Sequence, residues 1–225
     1  MAVAQTAFVA LTAAGLLLGV TLGCYGPMAG DDAALLQIPT VAAIGLLVAA
    51  VWREWVSSAS FAAVAAFLGL HTLASYYGYC NVPYDDWLER LAGMRFDELV
   101  GSDRNHFDRL LHFSYGLLLW RPTRQMVERF LGLRDGRASW VSLEFILASS
   151  AMYEIAEWLI AVFMAPEVAD RYNGQQGDLW DAQKDMALAG CGAIFAPVLF
   201  QMPDWLRRLR AFGCGGNLVY FLQIS

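Results

Sequence analysis

Residues 139–164 read SWVSLEFILASSAMYEIAEWLIAVFM. The run is long enough to cross a bilayer, whose hydrocarbon core takes about 20 apolar residues as a helix. Yet it holds Glu154 and Glu157, which lie three apart and therefore share a helix face. A charge in hydrocarbon costs several kcal/mol unless it is paired, protonated or bound to a metal. The two glutamates therefore have to face protein, and their span supplies no nearby cation for them.

The rest of the chain extends this pattern. Further apolar runs cover about 6–24, 34–51, 57–77, 106–122 and 181–202, each bounded by turn residues or charged and aromatic ends. The expected fold is an all-α polytopic membrane bundle of about six transmembrane helices. Of the 225 residues, 58% are hydrophobic and 16% charged, against about 25% charged in soluble domains. Residues 1–215 read as one transmembrane domain. The tail 216–225, GNLVYFLQIS, resembles a scrambled protease site and carries no functional weight. The first span lacks the basic start of a signal peptide and reads as a retained helix. Between spans three and four, WLERLAGMRFDELVG at 87–101 is amphipathic, which suggests one helix along the membrane surface.

Arginines set the expected orientation. Arg121, Arg124, Arg129, Arg134 and Arg137 follow span four, and Arg207, Arg208 and Arg210 follow span six. The positive-inside rule puts both groups, and both termini, in the cytoplasm. Arg90, Arg95 and Arg104 then lie outside, among six acids that count little in this rule. The net charge of -6, without a basic patch interleaved with aromatics, excludes a nucleic-acid partner. Cys24, Cys80, Cys191 and Cys214 show no CxxC spacing, so a thiolate zinc site is not expected. Cys24 and Cys80 fall on the same outer side and either pair there or stay free. Trp52, Trp55, Trp87, Trp120, Trp158, Trp180 and Trp205 read as an aromatic belt.

This topology collects the ionisable residues in one leaflet. Asp108 and His112 are four apart near the start of span four, Glu154 and Glu157 sit in the outer half of span five, and Asp178, Asp181 and Asp185 lie at the start of span six. His71 and His106 fall at the same depth. Helical bundles build metal sites from such pairs on facing helices. Imidazole with carboxylate suits one or two divalent ions, zinc, iron or manganese. In that reading Asp108, His112, Glu154, Glu157, Asp178, Asp181 and Asp185 are metal ligands. His71 or His106 completes the shell or acts as general acid or base, and Arg104, Arg109 and Lys184 bind an anionic head group. A plainer reading pairs Asp108 with Arg104 or Arg109, and Asp181 or Asp185 with Lys184, the only lysine. The sequence contains no HExxH, ExxH, GxSxG or P-loop motif. Ser149 and Ser150, one turn before the glutamates, suit packing better than nucleophilic attack.

Four segments carry a family likeness: YCNVPYDDW at 79–87, RNHFDRLLHF at 104–113, YEIAEW at 153–158 and GDLWDAQKDM at 177–186. Over about residues 35–200 the chain resembles the YjdF-like bacterial inner-membrane proteins. More loosely, its DxxxHF pattern is similar to the VanZ-like membrane proteins linked to glycopeptide-antibiotic tolerance. The first resemblance implies a multi-pass protein of the bacterial inner membrane and no particular reaction. The expected function is metal-assisted hydrolysis or transfer on a lipid or lipid-linked substrate, amid membrane lipids. The rival expectations are a proton- or cation-coupled transporter using Glu154 and Glu157, and a structural subunit locked by the polar cluster.

Overall fold

The structure, a computed structural model, describes the backbone of residues 3–27, 37–163 and 176–215, with side chains as far as residue 200. Eight helices and no strand occur among the described residues: α1 (Val3–Gly23), α2 (Ile38–Trp52), α3 (Ser58–Tyr77), α4 (Tyr84–Ala92), α5 (Phe96–Val100), α6 (Phe107–Phe130), α7 (Asp135–Phe163) and α8 (Asp181–Gly215). Residues 4–23, α3 and α7 are each long and apolar enough to cross a membrane. The 15-residue α2 is apolar but shorter. α6 and α8 are long, yet both carry charged side chains at both ends.

Six long helices alternate in direction. Gln5 of α1 donates to Ser58 at the start of α3 (2.9 Å), and Ser60 there donates to Gln125 of α6 (2.8 Å). At the opposite end, Gln37 just before α2 donates to Ser75 of α3. The starts of α2, α6 and α8 therefore share one end of the bundle with the ends of α1, α3 and α7. We call this the carboxylate end, and the other the arginine end.

Three packed clusters hold the helices together. Val9, Leu16, Ile44, Leu47, Phe61 and Leu68 join α1, α2 and α3. Ala74, Tyr79, Val82, Phe107 and Leu111 join α3 to α6 at the carboxylate end. Trp120, Ile146, Ala189, Ala193 and Ala196 join α6, α7 and α8. The approach of α6 to α8 is the tightest. A Cβ built on Gly116 would lie 1.8 Å from the Ala189 carbonyl oxygen, and one on Gly192 would lie 2.1 Å from that of Phe113. Helices in lipid associate through such small residues, because water exclusion offers little drive there. Large apolar side chains such as Leu18, Phe145, Ile155, Trp158, Phe195 and Leu199 point outward, as expected of a surface solvated by lipid.

Several local expectations are revised. The surface helix is two helices, α4 and α5, because Gly93 takes a left-handed conformation (φ 66°) and ends α4. Asp85 then caps the second piece, its two carboxylate oxygens accepting from Phe96 N (2.7 Å) and Asp97 N (3.2 Å). The loop expected to hold five arginines is mostly helix: Arg121, Arg124 and Arg129 lie on α6 and Arg137 on α7. Pro122, where the fourth apolar run was expected to end, sits inside α6. Trp120 is 2% exposed and belongs to the core rather than the aromatic belt, with the Arg124 guanidinium over its ring. Cys24 and Cys80 are free thiols. The side chain of Trp205 and residues 216–225 lie outside the described residues.

Candidate functional site

The i, i+4 spacing on α6 sets Asp108 and His112 on one face, and the backbone contact between α6 and α8 brings Asp185 against them. Ligand atoms of Asp108, His112 and Asp185 all lie within 4.8 Å of one another. His112 stands between two acids, with Nε2 3.8 Å from Asp108 and Nδ1 3.7 Å from Glu154. Asp108, Glu154, Glu157, Asp181 and Asp185 are each between 2% and 8% exposed. Asp185 Oδ1 and Glu154 Oε1 are buried with no hydrogen-bond partner. Gathering acids out of water is strongly unfavourable unless a cation, a proton or a donor compensates.

The donor set fits a divalent ion. One imidazole with carboxylates on facing helices is a usual ligand set for zinc, manganese or iron. Neighbouring ligands of a tetrahedral ion with bonds of ~2.1 Å lie about 3.4 Å apart. The three atoms here lie within 4.8 Å of one another, so they would draw in to close on an ion.

A layer of cations covers this cluster. Arg104 donates to Asp181 (2.5 Å), and Arg109 Nη2 lies 3.5 Å from the same oxygen. Asp178 Oδ2 takes three cations at once: Lys184 Nζ at 2.6 Å, Arg104 Nη1 at 3.9 Å and Arg109 Nη2 in a short hydrogen bond. Its other oxygen accepts from the Trp180 backbone N–H (3.0 Å). Hydrogen bonding from Lys184 first, then from the Trp180 N–H, holds the Asp178 carboxyl well below the usual carboxylate range. Asn105 and Gln176 bond reciprocally, each backbone or amide N–H donating at 2.9 Å, which ties the approach to α6 to the approach to α8.

Beneath the cluster lies a cavity of about 220 Å³ between α2, α3, α6 and α7. Pro39, Ala43, Phe67, Leu68 and Leu111 supply its apolar wall, while Asp108 and His112 line its polar side. His71 lines it too, with Nε2 3.0 Å from the Thr40 hydroxyl and Nδ1 3.4 Å from the Tyr79 hydroxyl.

The structure therefore gathers Asp108, His112, Glu154 and Asp185 closely, with Glu157 buried on the same helix as Glu154. It puts Asp178 and Lys184 in the cation layer, with Asp181 between layer and cluster. His71 shares the cavity but is held by hydroxyls. The His106 ring packs edge-on against Phe96 of α5 and is not among the cavity residues. Ser149 bonds the Tyr115 hydroxyl at 2.6 Å and the Phe145 carbonyl at 2.6 Å, a packing role. Thr40, Tyr79 and Tyr153 were not singled out from sequence. Tyr153, beside Glu154 and with its ring 6.0 Å from His112, could have been found by adjacency. Tyr79 opens the family segment at 79–87, whereas Thr40 gave no signal.

Residues 6–203 match a family described as a predicted membrane protein, DUF2238. The chain belongs to that family. It is 31% identical over 176 residues to the inner membrane protein YjdF of Escherichia coli strain K12, a match covering 78% of this chain and 79% of the relative. The family match reaches back to residue 6, so it takes in α1 as well as the four quoted segments. No solved structure matches the chain. As a DUF2238 member the chain is an integral membrane protein.

Proposed function

We propose that this DUF2238 protein is a six-span inner-membrane metalloenzyme, with both termini in the cytoplasm and its carboxylate end facing the periplasm. Asp108, His112 and Asp185 hold a divalent cation with Glu154 beside them, and the substrate is a lipid or lipid-linked molecule. The supporting observation is the mutual reach of the Asp108, His112 and Asp185 ligand atoms, all buried, with one Asp185 oxygen lacking any hydrogen bond. A cation bound there would polarise a carbonyl or phosphoryl oxygen and activate a water. Glu154 faces the far ring nitrogen of His112 and would hold the imidazole in orientation toward such a cation. The cavity wall of Phe67, Leu68 and Leu111 suits an apolar chain, and Arg104 and Arg109 suit its charged head.

The orientation rests on the arginine end, where Arg53, Arg121, Arg124, Arg129, Arg134 and Arg137 collect. Arg90, Arg95 and Arg104 lie nearer the carboxylate end and pull the other way, and the larger group at the arginine end outweighs them.

Elemental analysis of detergent-purified protein tests the reading. Wild type is expected to carry near-stoichiometric zinc, iron or manganese, with His112→Ala and Asp185→Asn losing most of it while keeping their helicity. Folded wild type that takes up none of these ions would sink the metalloenzyme. A second reading, favoured by the buried Glu154 and Glu157 on one face of a spanning helix, would then lead. It expects cation- or proton-driven flux in liposomes that Glu154→Gln abolishes.

A further inference from the structure

Three cations meeting on one carboxylate oxygen is an imbalance between donors and acceptors. Asp178 Oδ2 has two lone pairs, and it faces Lys184, Arg109 and Arg104 together. Arg109 Nε is buried with no hydrogen-bond partner, a donor that Asp178 and Asp181 leave unmet. Both arginines are largely enclosed, their side chains 11% and 20% exposed. Asp178 itself lies ahead of α8 on a turn, anchored through its other oxygen to Trp180 N. A tetrahedral phosphate offers three strong acceptor oxygens, one for each cation, and suits guanidinium forks better than one carboxylate does.

We propose that Arg104, Arg109 and Lys184 form a phosphate-binding site in which Asp178 is a tethered surrogate, displaced when a phosphate group arrives. This deepens the reading given above and rests on it for the consequence: the phosphate would sit next to Asp181, at the edge of the Asp108, His112 and Asp185 centre. The substrate class is then a phosphate-bearing one, a lipid phosphate or free phosphate released from it.

The test is binding to full-length protein reconstituted in phosphatidylcholine nanodiscs. One arm titrates inorganic phosphate; the other compares nanodiscs with and without phosphatidic acid. Asp178→Asn is expected to bind about tenfold more tightly than wild type, since one charge-assisted competitor is removed. Adding Arg109→Gln should abolish that gain. A gain in either arm that Arg109→Gln removes bears the proposal out, and the responding arm identifies the source. No gain in both arms, or a gain that survives Arg109→Gln, overturns it. Should Asp178→Asn fail to fold, Lys184→Gln in the wild-type background is expected to weaken phosphate binding at unchanged helicity, and unchanged binding overturns the proposal. Repeating the titration in His112→Ala separates the two readings: phosphate bound without metal keeps the anion site even if the metal centre fails.

Discussion

Asp178 shows how one side chain can link an ion layer to pH. Its carboxyl is held below the ordinary range, chiefly by Lys184, so its contribution to stability is present above the unfolded value and fades as pH falls toward the folded one. The ordinary Asp value is about 3.9. Asp178→Asn should therefore lower the melting temperature by a constant amount from neutral pH down to mildly acidic conditions. That difference should shrink only below about pH 4. Thermal melts of both proteins across pH check this; a difference that varies between pH 6 and 8 would point to another group. Little of this was legible from residue types. Spacing alone put Asp178 with Asp181 and Asp185 as a metal ligand, because a sequence shows which carboxylates share a helix end and not which of them meets the nearest lysine. By contrast, Asp108 with His112 follows directly from the helical repeat, since four residues make about one turn. Glu154 opposite His112 needed only α6 and α7 to be antiparallel neighbours.

Among the elements, the contact of α6 with α8 is the one a single methyl would disrupt. Gly192→Ala would push a Cβ into the Phe113 carbonyl and the Leu117 backbone nitrogen, atoms that cannot turn aside. Overpacking of this kind costs about 1–3 kcal/mol, occasionally more. Gly190→Ala meets only the tip of the Leu147 side chain at 2.9 Å, which can rotate away. The first variant should melt well below wild type and the second close to it. Equal melting of the two would mean the helices are not in backbone contact. Here too the sequence was partly legible. The long apolar runs of α3 and α7 were found to within a few residues, because hydropathy reports directly on length. Pro122 misled, since a proline usually ends a helix by removing a donor and crowding the preceding turn. In α6 that position is buried and the helix continues to Phe130. Gly93 misled in the opposite sense: an amphipathic pattern survives a left-handed break, so one helix was read where there are two.

For the whole molecule, the division into a carboxylate end and an arginine end makes orientation measurable. In a variant with its native cysteines replaced, Asp103→Cys and Arg134→Cys put thiols on exposed residues at opposite ends. A membrane-impermeant thiol reagent applied to intact cells should label Asp103→Cys. Arg134→Cys should react only after lysis. The reverse pattern would turn the protein over and put the carboxylate cluster on the cytoplasmic side. The glycine contact also has a mechanical consequence. With Gly116 and Gly192 seated on opposing backbone, α6 and α8 have no slack and form a single frame. Asp108, His112 and Asp185 are all bolted to that frame, so their spacing stays fixed whatever else shifts. Glu154 rides on α7 instead, so its distance from His112 is set by how α7 packs against that frame.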